Sequence, residues 1–286
     1  MKPIPLLDYG GTSLFVALFA LLFWLQMRDS LRRPRYSAFA RALRNLAFSA
    51  PGFAIFRLAM IPIPLAVAAW AEQRGVGLFH WLHLPPWAAG ILGFFVMDWA
   101  YYWWHYANHL VPFFWRFHNV HHTDLDLDVS TAARFHFGEI ILSVPFRVLV
   151  VGLFGIPFFA LLIFEIVFES ATLFHHSNWR LPLGLERLLN QVIVTPRMHG
   201  IHHSIVQRET NSNWGTIFCW WDKLHRTLRR DIAQNEITIG VAAYRDEREL
   251  ALVKLWALPF RKQRDWRLPD GNIPAREPRN LRELQP

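Results

Sequence analysis

The sequence contains a single cysteine, Cys219, among 286 residues. One thiol cannot form an internal disulfide framework, and it cannot supply the ligands of a cysteine-based zinc or iron–sulfur site. Charged residues are also sparse, at 18% of the chain, whereas hydrophobic residues make up 53%. This balance excludes an ordinary soluble domain and favours a protein whose solvent is largely a lipid bilayer.

Several functional signatures are absent as well. The chain has no GxGxxG fingerprint of a dinucleotide or flavin site and no HExxH motif of a zinc hydrolase. Its net charge of +8 could suggest nucleic acid, but no RNA- or DNA-binding signature accompanies it, and arginines flank the apolar segments. We therefore expect anionic lipid head groups, and not nucleic acid, to neutralise the positive charge.

Long apolar segments are present instead. A hydrocarbon core of roughly 30 Å takes about 20 apolar residues to cross as a helix. The candidate spans are residues 12–27, 46–71, 86–104 and 138–174. The last segment is too long for one crossing, so we interpret it as two helices that turn near Gly155 and Pro157. The sequence predicts an all-α, polytopic membrane helical bundle of about four or five transmembrane helices.

Arginine placement predicts how the bundle is oriented. Residues 28–44 carry six arginines, and cytoplasmic loops retain positive charge. This segment is therefore expected in the cytoplasm, which puts the N-terminus and the 72–85 loop outside. The first apolar segment lacks a small-residue cleavage site and precedes the basic loop, so we expect a retained anchor. The expected setting is an integral, multi-pass protein of a bacterial inner membrane.

The composition changes near residue 227. Residues 1–227 contain all of the candidate spans and all of the histidines, whereas residues 228–286 are charged and contain several prolines. We expect one membrane-embedded domain over 1–227 and a charged cytoplasmic tail over 228–286.

Histidines are crowded into short motifs. An HxxxH motif is formed by His105 and His109, and two HxxHH motifs are formed by His118, His121, His122 and by His199, His202, His203. At the histidine frequency of this chain, roughly 0.03 matches to HxxHH are expected, against the two observed. Spacings of three and four place imidazoles on one helical face, where they can converge on an ion. Eight imidazoles exceed the needs of one metal, so two ions are predicted in a histidine-rich cap on the cytoplasmic side. Histidine serves iron, zinc, copper and nickel alike, which leaves the metal open.

These motifs resemble the fatty acid hydroxylase and sterol desaturase superfamily of membrane di-iron oxygenases. The resemblance extends over residues 98–260 and includes "YYWWHYANH", "RFHNVHH", "STAARFHFGE", "FHHSNWRLP" and "TPRMHGIHHS". It implies a metal-ligand set of His105, His109, His118, His121, His122, His136, His176, His199, His202 and His203. His175 stands where a polar residue is expected, so we rank it below His176 and expect it to contact a ligand. His80 and His83 fall in the outside loop and are expected to be interfacial.

The resemblance also implies the chemistry. Two iron ions would activate O2, and a C–H bond of a lipid such as a fatty acyl chain or a sterol-like substrate would be hydroxylated or, less favourably, desaturated. The electrons must come from a separate protein of the ferredoxin or cytochrome type, because the chain carries no flavin fingerprint and no fused haem domain. A basic cytoplasmic face suits an acidic donor. The alternatives are a membrane metal-binding or transport protein without oxygenase activity and a zinc hydrolase.

Acidic residues near the motifs are candidates for supporting the ligands. Asp98 lies seven residues before His105 and so on the same helical face, where its carboxylate is expected to accept a hydrogen bond from a ligand's second ring nitrogen. Glu139 is a second candidate for this role, with an ion pair to an arginine as the alternative. Asp124, Asp126 and Asp128 follow the second motif and are expected at a solvated helix end or loop.

Overall fold

The protein is described by a computed structural model that covers residues 12–276. Helices α1 to α5 span Thr12–Arg28, Ala38–Ile55, Pro62–Arg74, Leu78–Trp81 and Pro86–Leu110; α6 to α9 span Pro112–His122, Phe137–Phe154, Phe158–His176 and Leu183–Leu189; α10 to α13 span Pro196–His202, Gln207–Thr210, Trp220–His225 and Leu252–Ala257. Over the described residues β-structure is limited to isolated bridges. The predicted all-α class is confirmed.

Three helical stretches are long and apolar enough to cross a membrane. They are Ala38–Trp81, which is 44 residues long, and helices α7 and α8. Helix α1 is apolar but shorter, and α5 is 25 residues long but contains Asp98 and a cluster of tryptophans and tyrosines, which lower its mean hydropathy. Within the first stretch, a π-helical turn, Phe56–Met60, joins α2 to α3.

The turn predicted within residues 138–174 is confirmed. Gly155 ends α7 in the left-handed conformation, with φ of 68°, and Pro157 precedes the first residue of α8. A Cβ on Gly77 would collide with the backbone of Gly155, so the loop after α3 rests directly on this turn. His80 lies beside Gly155 as well, at the end of α8 away from its histidines.

The other end of the bundle carries the histidines. Helix α5 carries His109 one residue before its last residue, and α8 ends at His176. The chain leaving α1 is fastened here, because the Leu31 N–H donates to the Asn178 carbonyl at 2.7 Å. Helix α7 begins here too, after its N-cap residue His136. The helices therefore hold one histidine-rich end against one another.

An apolar core joins α3, α5, α7 and α8. Its buried members include Leu65, Met97, Val151 and Phe164. The outward side of the bundle is also apolar: the exposed large side chains include Val16, Leu58, Leu149, Phe159 and Ile163. Apolar side chains on both faces of the helices are expected of a bundle surrounded by lipid.

The described part of the C-terminal tail packs on the histidine-rich end. Val241, Tyr244 and Leu255 are buried against Phe48 of α2 and Val120 of α6. The division of the chain near residue 227 stays a prediction, and residues 277–286 of the predicted tail lie outside the described residues.

Asp124, Asp126 and Asp128 do not form a solvated loop, so that expectation is wrong. Asp124 is fully buried and Asp128 is 3% exposed, because Arg41 of α2 forms ion pairs with both carboxylates. Asp126 accepts hydrogen bonds from the backbone N–H groups of Arg35 and Tyr36, both at 2.9 Å. The three aspartates therefore anchor the arginine-rich segment to the histidine-rich end.

Candidate metal centre

Nine of the ten predicted ligands converge on two neighbouring positions. The first group consists of His105, His109, His118, His122 and His202, and the second consists of His121, His176, His199 and His203. Within each group, one nitrogen from every ring lies within 4.8 Å of those of the others. The part of the chain that the structure describes therefore offers two positions for metal ions.

Each HxxHH motif is divided between the two groups. On α6, His118 and His122 are four residues apart and share a face, whereas His121 is turned toward the second group. On α10 the division is reversed, because His202 joins the first group. The rings of His122 and His203 stack across the boundary with their centroids 4.3 Å apart. Because each motif contributes histidines to both groups, the two groups lie side by side.

Distances in the second group fit a bound ion. The Nε2 atom of His176 lies 3.0 Å from that of His121 and 2.9 Å from that of His199. The Nε2 atoms of His199 and His203 are 3.1 Å apart. Nitrogens coordinated at about 2.0–2.1 Å lie roughly 2.8–3.0 Å apart as adjacent ligands of an octahedral ion and roughly 3.3–3.4 Å apart around a tetrahedral ion. The four nitrogens therefore have the spacing of ligands that share one metal.

The first group contains buried nitrogens that need a partner. Among the described residues, both ring nitrogens of His109 and His122 and the Nε2 atoms of His118 and His202 are buried without a hydrogen bond. Leaving such groups unpaired costs free energy. Coordination of an ion would satisfy one nitrogen of each ring, so this donor set also fits a metal.

The remaining nitrogens of several ligands are held by the protein. The Nδ1 atoms of His105 and His202 lie 2.9 and 2.7 Å from the carbonyls of Trp214 and Ser212. The Nδ1 atom of His118 is 2.9 Å from the carboxylate of Glu139, as predicted for this acid. A ring that donates from Nδ1 presents the lone pair of Nε2 to a metal.

Burial keeps the ligands in the form that binds metal. Desolvation, together with the charges of neighbouring histidines, holds the pKa values of the ligands on α6 and α10 well below their ordinary value; these are His121, His122, His199, His202 and His203. The rings are therefore neutral at physiological pH, and metal binding does not have to displace a proton from each of them.

Asp98 has a different partner from the one predicted. Its carboxylate accepts hydrogen bonds from the backbone N–H groups of Ile217 and Phe218 and from the indole of Trp221. Two turns of α5, roughly 10 Å along the axis, separate it from His105. It therefore positions the loop whose Trp214 carbonyl bonds His105, and it does not bond a ligand directly.

Asp222 supports the same loop and was not predicted. It accepts hydrogen bonds from the N–H groups of Trp214 and Gly215, both at 2.8 Å. Burial raises the pKa of Asp222 to about 6. The sequence gives little signal for this role, because "WWDKLH" contains no metal-ligand spacing and the loop geometry becomes visible only in the fold.

His136 is not brought into either group. Its Nδ1 atom accepts a hydrogen bond from the Gly138 N–H at 3.0 Å, and its Nε2 atom donates to the Trp256 carbonyl at 3.2 Å. His175 lies next to the second group, with its ring centroid 4.2 Å from that of His199, and its Nδ1 atom bonds the Thr216 carbonyl. This is the ligand-contacting position expected for His175.

Removing the carboxylate behind His118 is expected to weaken metal binding. Glu139→Ala takes away the acceptor that orients the ring, and losses of about 10–100-fold in metal affinity are typical for such partners. Titration of the purified protein with Fe²⁺ against a chelator measures the change. Glu139→Gln keeps an acceptor oxygen and should recover much of the affinity. Equal losses in both variants would contradict an orienting role.

Comparison with known proteins gives the same family as the motifs. Residues 90–227 match the family described as fatty acid hydroxylase. The chain is 30% identical over 183 residues to the ornithine lipid hydroxylase OlsE of Rhizobium tropici, which covers 62% of this chain and 54% of that protein. It is 28% identical to alkylglycerol monooxygenase of Danio rerio, covering 66% and 41%. It is 24% identical to cholesterol 25-hydroxylase of Rattus norvegicus, covering 84% and 80%.

The chain spans about half the length of the first of these relatives. No solved structure matches it. The matched region contains all nine histidines of the two groups. The resemblance read from the motifs to the fatty acid hydroxylase superfamily is therefore confirmed over this region of the chain.

Proposed function

We propose that this protein is an O2-dependent lipid hydroxylase with two iron ions. The observation that carries the proposal is the pair of adjoining histidine groups, with five and four ring nitrogens each within 4.8 Å of one another. The two ions, when bound, would supply O2 activation. The overall reaction is R–H + O2 + 2 e⁻ + 2 H⁺ → R–OH + H2O, so one oxygen atom enters the lipid and the other leaves as water.

The residues of the chain would hold and insulate this site. His109, His118, His122 and His202 would bind one ion together with His105, and the second group would bind the other. Among the described residues neither group contains a carboxylate, so the ligands are neutral. The carboxylate of Glu139, 2.9 Å from the Nδ1 atom of His118, would compensate part of the charge of the ions.

A lipid substrate is supported from two directions. Relatives are named for hydroxylation of an ornithine lipid and of cholesterol, and for monooxygenation of alkylglycerol, and these names favour hydroxylation over desaturation. Within the site, His105 is half-buried whereas the other members of both groups are buried. It sits on α5 beside the half-buried Trp104 and Tyr106. We propose that a lipid chain approaches the ions from the His105 side.

The membrane arrangement follows from the helix ends. We propose five spans, formed by α1, by the continuous α2–α3 stretch, and by α5, α7 and α8. The six arginines of residues 28–44 support a cytoplasmic location of the histidine-rich end, and a bacterial inner membrane is the proposed host. A separate one-electron carrier supplies the electrons. Ligands gathered at one end of the bundle do not suit a transport path, which would need polar groups across the depth of the membrane.

Lipid mass spectrometry tests the proposed reaction. Cells that express the wild-type protein should contain a lipid species heavier by one oxygen, and cells that express His202→Ala should lack it, because the first group loses a ligand. Arg74→Ala is the matched control, because Arg74 is the last residue of α3 and lies away from both histidine groups. This variant should keep the product. Loss of two hydrogens instead would identify a desaturase. Wild-type cells without either change, while the purified protein still binds metal, would favour the metal-binding alternative.

A further inference from the structure

A chain of aromatic rings leads from the protein surface to the first histidine group. The ring centroid of Trp115 lies 5.2 Å from that of His109 and 5.6 Å from that of His122. On its other side, Trp115 is 5.7 Å from Trp266. Trp266 is half-buried, so the two tryptophan rings connect the surface with two members of the group.

Trp266 and the segment that carries it are held by one contact just after the second HxxHH motif and one within the first. Its indole N–H donates to the carbonyl of Ile205, two residues after His203, at 2.6 Å. Three residues before it, Gln263 accepts a hydrogen bond from Asn119 in "FHNVHH" at 3.0 Å. The ring is therefore held against the histidine-rich end and is not a loosely attached part of the tail.

The surface around Trp266 is strongly basic. We define the basic strip as residues 254–267; its charged members are Lys254, Arg261, Lys262, Arg264, Arg267 and one acid, Asp265. All six are exposed. Arg264 is engaged by Glu249 at 2.6 and 2.9 Å, which neutralises one charge. The remaining excess of positive charge lies in the same exposed segment of the chain as Trp266, the outer ring of the series.

We propose that the basic strip is the docking surface for an acidic one-electron carrier protein and that Trp266 and Trp115 carry its electrons inward to His109 and His122. This inference rests on the proposed function, because it identifies where the two electrons of that reaction enter. The carrier is oxidised by one electron at each visit, and the metal centre is reduced by that electron. Two visits supply one turnover.

Two physical arguments support the docking surface and the electron route. Opposite charges accelerate encounter and orient a partner without requiring a large interface, as is usual for electron-transfer pairs. Electron tunnelling falls steeply with distance, so closely spaced rings shorten each step between the surface and the ligands. Anionic lipid would also suit the arginines, but it does not account for a fixed tryptophan that links this strip to the histidines.

Charge reversal tests the docking surface. The probe is reduced plant-type [2Fe–2S] ferredoxin, added to iron-loaded protein in nanodiscs of neutral lipid. Arg261→Glu/Lys262→Glu should weaken binding at low ionic strength by about tenfold, and the difference should shrink as salt shortens the Debye length. Arg187→Glu/Lys223→Glu makes the same change in net charge at exposed positions elsewhere and should bind as the wild type does.

Stopped-flow absorbance of the ferredoxin tests the route. Trp266→Leu should keep the Kd for ferredoxin while slowing its oxidation by about tenfold or more, and Trp266→Phe should recover part of the rate because a ring remains. Reduction by dithionite, a small reductant that needs no docking surface, should be equal in all variants, which confirms that the metal centre is intact.

Three results would overturn the proposal. The first is wild-type protein that does not bind ferredoxin saturably at low ionic strength. The second is Trp266→Leu that oxidises bound ferredoxin at the wild-type rate. The third is Arg261→Glu/Lys262→Glu that binds ferredoxin normally but loses affinity for phosphatidylglycerol vesicles, which would assign the strip to the membrane. Normal ferredoxin oxidation without any lipid product would instead contradict the proposed function and leave the docking surface standing.

Discussion

Replacing His199 with alanine is expected to lower the bound iron from two ions per chain to about one. His199 lies at the centre of the second group, because its Nε2 atom is 2.9 Å from that of His176 and 3.1 Å from that of His203. Three neutral imidazoles, with no carboxylate among the ligands, bind an ion much more weakly than four do. His109→Ala leaves four imidazoles in the first group, so it should weaken binding of the other ion less than His199→Ala weakens binding in the second group.

Metal analysis of the purified variants measures this effect, with circular dichroism to verify that the helices are retained. His136→Ala is the matched control, because this histidine is buried near the site but both of its nitrogens are used by Gly138 and Trp256. It should keep two ions per chain. Loss of iron in His136→Ala equal to that in His199→Ala would restore His136 to the ligand set and contradict the two-group assignment.

Replacing Arg41 with alanine is expected to destabilise the protein by about 3–5 kcal/mol, the usual cost of removing one partner from a buried ion pair. Arg41 is 3% exposed and donates to Asp124 and Asp128, and also to the Asp126 carbonyl at 2.8 Å. Without it, two carboxylates would be left buried and undercompensated. Reversible unfolding in SDS micelles measures the free energy.

Arg44→Ala is the control for this prediction. Arg44 lies on the same helix and pairs with the exposed Glu247 at 2.9 Å, and exposed pairs contribute about 0–1 kcal/mol. Similar losses in the two variants would show that the buried network does not hold the loop after α6.

Lowering the pH should reduce the stability that the ion pairs of Arg41 with Asp124 and Asp128 contribute. Burial alone would raise the pKa of Asp124, but the charges of Arg41 and Arg134 outweigh burial and hold the pKa below its ordinary value. A depressed pKa means that the carboxylate contributes stability above the unfolded value of about 3.9, and that this contribution is lost as the pH falls below it. The difference in the free energy of unfolding between wild type and Arg41→Ala should therefore become smaller below about pH 4 and stay constant between pH 5 and 7.

The sequence predicted the ligands better than their partners. Spacings of three and four place His105 with His109, and His118 with His122, on single helical faces whatever the tertiary structure, so these pairs could be predicted. The division of each HxxHH motif between two groups depends on how α10 meets α6 and α8, which no local spacing contains. Grouping therefore needed the fold.

Acidic residues were harder to predict for a related reason. Asp98 lies on the same helical face as His105, but seven residues separate the two along the helix axis. Its carboxylate therefore accepts hydrogen bonds from the backbone N–H groups of Ile217 and Phe218 instead. Asp124 and Asp128 were expected in solvent because they follow a helix end, and the arginine that buries them lies more than eighty residues earlier. A contact between residues this far apart in the sequence produces no periodic pattern from which it could be predicted.

The division of ligands among distant segments has a consequence for the biogenesis of the protein. The second group takes His121 from α6, His176 from the end of α8, and its last two members from α10, so it cannot exist while the ribosome is still producing the helices between them. The chain must first be inserted in the membrane as far as α8 and must then fold residues 196–203 onto it. On the proposed function, metal loading would therefore be a late, post-insertional step, and cells starved of iron should accumulate inserted chains that iron can still activate afterwards.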